Sequence, residues 1–169
     1  MTNDNGNTNQ RGAKKPKVRP LADPAGRKMP ADHAAEQSVI LTLFKYTEHV
    51  ADVSDWLLPE FFDGEPYGLI YGAICRVAES EEGVSPLTVR DRLDADGTWE
   101  RVGNDMLNNL NGEINLPLLP RYAEIVCNKA RLRRAIAEAQ MVLAEAYGPI
   151  PDELEWLNNL PGRFEEAGL

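Results

Sequence analysis

The sequence predicts an all-α protein: a small multi-helix globular domain followed by a long αα-hairpin. Three observations carry that expectation. Apolar residues recur at three- and four-residue spacing through most of the chain after residue 32. Proline, glycine and capping residues divide that pattern into helix-length runs. No stretch alternates with period two, and no strand-length run of β-branched residues is present.

The elements follow in order. Asp32 is placed to cap a first helix, with Glu36 in its first turn and Val39, Ile40, Leu43 and Phe44 on its apolar face. A short second helix carries Val50, Val53 and Leu57. Pro59 interrupts it, and Phe61 and Phe62 form a hydrophobic plug. Gly64 and Pro66 mark the next start, followed by Leu69, Ile70, Ala73, Ile74 and Val77 at helical spacing. Ser85-Pro86 combines a capping serine with proline at the first helical position. Leu87, Val89 and Leu93 supply that helix's apolar side, and Gly97 ends it. Met106, Leu107 and Leu110 mark another short helix, stopped by Asn111-Gly112. After Pro117 and Pro120 the longest helix runs over 120–147. Its stripe is Tyr122, Ile125, Val126, Leu132, Ile136, Val142 and Leu143. Gly148-Pro149-Ile150-Pro151 is a hard turn. Asp152 then caps a last helix bearing Leu154, Leu157, Leu160 and Phe164. A long helix, a tight turn and a shorter helix make a helical hairpin. Little chain is left to cover its apolar side, which is expected to pack on the body or on another copy.

Charge divides the chain differently. Residues 1–32 carry seven basic and three acidic side chains, whereas the remaining 137 residues carry 11 basic and 24 acidic ones. The leader is rich in Asn, Gly, Pro and Lys and has few apolar residues, so burial cannot offset the entropy of ordering it. The expected organisation is a disordered basic tail over 1–31, a helical globular unit over 32–118 and a hairpin over 119–167. Lys14, Lys15, Lys17 and Arg19 are the candidate nucleic-acid contacts. The alternative is a solubilising leader, since no aromatic residue interleaves these charges to stack on bases. The acidic remainder argues against a broad nucleic-acid face, so such contact is expected through the tail only. No run approaches the roughly 18 apolar residues of a membrane helix. No signal-peptide pattern opens the chain, and a cytoplasmic protein without membrane contact is expected.

The residues offer no catalytic constellation. None of the six lysines follows a glycine, which excludes a phosphate-binding loop. The four serines lie in no nucleophile-elbow context. His33 and His49 read as surface or capping residues. Cys75 and Cys127 lack metal-site spacing and read as small core residues. Glu79, Glu81 and Glu82 beside a glycine read as a solvated loop. Trp56, Trp99 and Trp156 read most simply as core or hairpin anchors, and an exposed one would instead suggest a partner surface. An enzyme, a cofactor and a bound metal are not expected.

The order of motifs resembles one family. Ala35-Glu36-Gln37-Ser38-Val39-Ile40 resembles the A-E-Q-S-V-L stretch opening the N-terminal domain of bacterial DnaB-type replicative helicases. Leu58-Pro59-Glu60-Phe61-Phe62 and Leu69-Ile70-Tyr71-Gly72-Ala73-Ile74 resemble its next element, although Tyr67 stands where histidine is common. Leu87-Thr88-Val89, Leu93, Gly97 and Val102-Gly103 are similar to its L-V-T-V, L-x-x-x-G and V-G-G sequence. Tyr122-Ala123-Glu124-Ile125-Val126 and Lys129-Ala130-Arg131-Leu132-Arg133-Arg134 are similar to its Y-A-x-I-V-x-x-K-x-x-L-R-R-L segment. Together these span about residues 30–167.

The resemblance implies a globule plus hairpin whose copies pair into a collar and dock primase or other replisome partners. It implies a separate RecA-like motor carrying ATP hydrolysis, and Leu169 falls where the linker to that motor would begin. The expected role is therefore a non-catalytic interaction and oligomerisation module in DNA replication. Its expected partners are another copy of the chain and a replicative helicase or primase. Tyr122, Ile125, Lys129, Arg131, Arg133, Arg134, Trp156 and Leu157 are the candidate partner or self-association residues. Within the basic cluster, Arg134 is expected to pair with Glu138 at i,i+4 spacing. The runner-up is a nucleic-acid-binding accessory protein. It would act through the basic tail, and the helix-turn-helix-like run from Ser85 to Leu110 also motivates it.

Overall fold

Helix α1 (His33–Lys45) starts where Asp32 Oδ1 accepts the Ala35 N–H at 3.0 Å. Its apolar side, Val39, Ile40 and Leu43, is sealed from solvent. Its polar side is buried as well, because an extended strap over 111–115 is laced onto it. Gln37 Oε1 accepts the Asn111 N–H at 2.6 Å, Ser38 Oγ the Glu113 N–H at 2.9 Å, and Thr42 Oγ1 the Asn115 N–H at 3.2 Å. The approach requires Gly112: a Cβ there would lie 2.5 Å from the Ser38 backbone nitrogen. Side chains that would weaken a solvent-facing helix thus satisfy the backbone of a segment with no ladder partner.

The computed structural model describes residues 26–80, 83–166 and 168. Lys14, Lys15, Lys17 and Arg19 lie outside the described residues, as do Glu81 and Glu82.

A 3-10 turn at Thr47–His49 leads into α2 (Ala51–Ser54), and Val50, Val53 and Leu57 enter the core as expected. A second 3-10 turn, Pro59–Phe61, delivers the aromatic plug. Phe62 is buried and stacks on Tyr71 at 5.0 Å, while Phe61 stays half-exposed. Helix α3 (Glu65–Glu79) runs through the centre with Ile70, Tyr71, Ala73, Ile74 and Val77 buried. Helix α4 (Pro86–Ala95) opens on a reciprocal cap. Ser85 Oγ accepts the Thr88 N–H at 3.2 Å and Thr88 Oγ1 accepts the Ser85 N–H at 2.9 Å. Leu87 corrects the expected apolar side. It is 65% exposed, because it lies about 200° around the helix from buried Val89. Helix α5 (Trp99–Asn108) begins well before Met106 and is broken at Gly103, whose φ of +74° suits glycine.

After a 3-10 turn at Leu116–Leu118, α6 (Leu119–Ala146) extends 28 residues, about 42 Å at 1.5 Å per residue. Leu119, Ala123, Val126, Cys127 and Ala130 fall on one stripe and are buried, all but Ala130 in the main core cluster. The expected division at 118/119 therefore runs through a packed interior. Leu132 and Leu143 of the predicted apolar stripe are 50% and 53% exposed.

The turn after α6 is closed by the Gly148 N–H on the Glu145 carbonyl at 2.8 Å. Helix α7 (Glu153–Glu166) is capped as expected, Asp152 Oδ1 accepting the Glu155 N–H at 2.9 Å. Pro161 lies inside it. Leu160 and Phe164 are half-buried, whereas Leu154 and Leu157 are largely exposed. Among the described residues no strand occurs, and no helix is long and apolar enough to cross a membrane.

Candidate interaction surface

A polar clasp, rather than an apolar seam, holds α7 on α6. Arg163 Nε reaches Glu138 Oε1 at 2.6 Å, and its Nη1 and Nη2 reach the two oxygens of Glu145 at 2.5 and 3.1 Å. Trp156 donates its indole N–H to the same Glu145 at 3.0 Å. Hydrogen bonds from Arg163 and Trp156 hold the Glu145 carboxyl below its ordinary pKa. The clasp engages Glu138, Glu145, Trp156 and Arg163 and leaves several apolar side chains outside. Leu143, Leu154 and Leu157 are each more than half exposed, and Tyr147 beside them is 87% exposed. Of the two predicted residues on α7, Trp156 is half-buried in the clasp and Leu157 faces out.

The four predicted basic residues separate into different environments. Arg133 is a staple inside the fold. It donates to the Pro30 carbonyl at 2.8 Å and the Phe61 carbonyl at 2.6 Å, and its Nε lies 3.7 Å from Asp63. Its side chain is only 15% exposed. Asp63 also meets His33 at 3.0 Å, and its N–H donates to Glu36 Oε1 at 2.8 Å. Glu36 is completely buried, and burial pushes its pKa above the ordinary value. Its second oxygen has no hydrogen-bond partner among the described residues. His49 caps a similar local contact, 2.6 Å from Asp52.

Arg134 does not pair with Glu138, which Arg163 occupies. It lies over the Phe61 ring at 4.8 Å, with Glu60 4.0 Å away. Arg131 is exposed and donates to Asn128 Oδ1 at 3.3 Å. Lys129 is half-buried. Tyr122 and Ile125 pack half-buried against the core, and the Tyr122 hydroxyl donates to Glu113 of the strap at 2.7 Å.

Trp56 was missed as a surface residue. It is 39% exposed, not a core anchor, and its indole N–H is satisfied by the Asp52 carbonyl at 3.2 Å. With Phe61, Cys127, Asn128, Arg131 and Arg134 it lines an open groove of about 430 Å³. An aromatic residue at the end of a four-residue helix carries no periodicity that would have revealed this. Trp99 does pack against the core, under Arg90 at 5.1 Å.

The helix-turn-helix-like run offers little free positive charge. Arg92 and Arg76 both engage Asp96, at 3.3 and 2.7 Å, and Arg101 pairs with Glu65. Cys75 and Cys127 are free thiols. Among the described residues, no three His, Cys, Asp or Glu side chains are grouped to hold a metal ion.

Comparison with known proteins gives a consistent result. Residues 28–128 match the family model of the DnaB-like helicase N-terminal domain. The replicative DNA helicase DnaB of Rhodothermus marinus is 29% identical over 145 residues, 85% of this chain and 15% of that protein. The replicative DNA helicase DnaB of Geobacillus stearothermophilus is 31% identical over 120 residues, 70% of this chain and 26% of that protein. The chain thus spans about a quarter or less of the length of these curated relatives. The crystal structure of the N-terminal domain of DnaB helicase from Mycobacterium tuberculosis superposes with a TM-score of 0.71 at 28% identity. That match covers 82% of this chain and 99% of the other. The globule and hairpin built here are the fold of that domain, and the chain belongs to the DnaB-like helicase N-terminal domain family.

Proposed function

We propose that this chain is a non-catalytic interaction and oligomerisation module of DNA replication. It would use the hairpin to join another copy of itself and to dock a replicative helicase or primase. The single observation behind this reading is the hairpin surface. Leu143, Leu154 and Leu157 are exposed on two helices tied together by Arg163, Glu138 and Glu145. Apolar groups left out of a satisfied polar clasp gain most from a second surface. The relatives' names place their proteins in replication, and the matched segment is their N-terminal domain. Sedimentation equilibrium tests the self-association. Dimers or larger species at high micromolar concentration support it, and a strict monomer there removes it.

The charge of the leader favours a second, additive role. Lys14, Lys15, Lys17 and Arg19 would contact phosphates with a salt-dependent affinity. Fluorescence anisotropy with single- and double-stranded DNA, in the full chain and in a chain lacking residues 1–31, separates the leader from the body.

A further inference from the structure

The groove between the segment after α2, the Pro59–Phe61 turn and α6 combines three features. Its first feature is an aromatic wall. Trp56 is 39% exposed although its N–H is already satisfied internally, so the ring has no polar reason to face outward. Phe61 also lines the groove, with the Arg134 guanidinium 4.8 Å from its ring. The second feature is positive charge with weak internal pairing. Arg131 meets only the neutral Asn128 amide, at 3.3 Å, among its described hydrogen bonds, and Arg134 has a single carboxylate at 4.0 Å. Both guanidiniums also act on the groove floor, where their charges oppose the upward effect of burial on the Cys127 thiol. The third feature is the rim. Glu60 lies 4.0 Å from Arg134, and Glu124, paired with Arg121 at 3.2 Å, also borders the groove, in a chain whose residues after 32 carry 24 acidic and 11 basic side chains.

We propose that this groove docks an acidic peptide segment of a partner protein, seating one aromatic or aliphatic side chain against Trp56 and Phe61 and one carboxylate on Arg131 and Arg134. The proposal rests on the reading of the domain as a docking module, and gives that module a partner chemistry and an address separate from the hairpin leucines. A guanidinium pair offers a carboxylate forked, charge-assisted donors. The Asn128 amide can both donate to and accept from a peptide backbone. A nucleic-acid strand fits less well: its phosphates would pass the Glu60 and Glu124 carboxylates at the rim. A peptide places its single negative group between the arginines and carries neutral chain past them. The volume of about 430 Å³ suits a few side chains rather than a folded surface.

The test selects a displayed library of random short peptides on the immobilised full chain, then measures enriched peptides by anisotropy. The expected enrichment is for an aromatic or aliphatic residue within one helical turn of Asp or Glu. Binding should weaken at least about tenfold in Arg131→Gln and in Trp56→Ala, as expected for a lost charge-assisted contact or buried ring. Lys45→Glu, a charge reversal outside the groove, should bind as the unaltered chain does. Both groove substitutions are at exposed side chains, and circular dichroism checks that each variant folds. Absence of enrichment, enrichment of basic peptides, or binding indifferent to both groove substitutions overturns the proposal. So does displacement of the peptide's place by an oligo-dT strand that binds the groove directly. Sedimentation of the same preparations separates the two readings. Association without peptide binding removes only the groove, and peptide binding in a strict monomer removes only the hairpin reading.

Discussion

Val39, Ile40, Leu43, Ile70 and Ile74 are sealed from solvent in the body, whereas Leu143, Leu154 and Leu157 of the hairpin are each more than half exposed. The same α6 serves both regions. Over Leu119–Ala130 its apolar stripe completes the core of the body. Farther along, Ile136, Ala139 and Leu143 share an open hollow with Met29 and Pro30, and α7 is tied on by the Arg163 ion pairs with Leu160 and Phe164 half-buried beside them. The body is therefore stabilised by burial and the hairpin by directed polar contacts. Burial makes a region self-sufficient. A polar clasp leaves apolar surface free for something else to cover.

The contrast can be broken most forcefully in the core. Ile40→Ala should cost about 2–5 kcal/mol in urea unfolding, because the cavity is enclosed on all sides. A loss near zero would mean that the body is not the tightly packed unit described. Arg163→Ala comes next. It strands Glu138, a carboxylate whose side chain is 11% exposed, at a cost of about 1–3 kcal/mol for an unsatisfied buried group. Amide exchange in α7 should accelerate while exchange in α1 and α3 is unchanged. Equal acceleration in both regions would show that the hairpin and body do not open independently.

Acidity should act on the two regions with opposite sign. Burial raises the pKa of Glu36 above the ordinary 4.5. Its stabilising contribution is therefore fully present below 4.5 and lost as pH rises through the raised folded value. Arg163 and Trp156 lower the pKa of Glu145 from 4.5. Its contribution is present above 4.5 and lost as pH falls through the lowered folded value. Glu36→Gln should flatten the pH dependence of body stability above 4.5, read by urea titration at several pH values. The hairpin, followed by α7 exchange, should loosen only on acidification. The smallest effect on the folded monomer is expected from Leu157→Ala. That exposed site should shift its stability by no more than about 0.5 kcal/mol, while weakening self-association in sedimentation. A large loss of monomer stability would place Leu157 in the core after all.

Much of the fold was legible because local signals coincide with real boundaries. Asp32, Ser85-Pro86 and Asp152 each start the helix they announce, through caps that act within three residues. Long-range contacts were not legible. Sequence places Arg133 among the four basic partner candidates, but its own partners Phe61 and Pro30 lie 72 and 103 residues away. Arg134 was expected to take Glu138, but α7 brings Arg163 to that carboxylate first. The strap was read as a helix stop at Asn111-Gly112. Its lacing by Gln37, Ser38 and Thr42 has no periodic signature. The same blindness hid the groove, whose lining comes from four places separated in sequence: Trp56, Phe61, α6 and Gly168.

Hydrogen exchange at low and high micromolar concentration tests the central claim most directly, because it reads the two regions in one sample. Completion of the hairpin by a second copy predicts that protection over 136–146 and 154–164 rises with concentration, while protection in α1 and α3 stays constant. Protection of the hairpin that is identical at both concentrations would contradict the account.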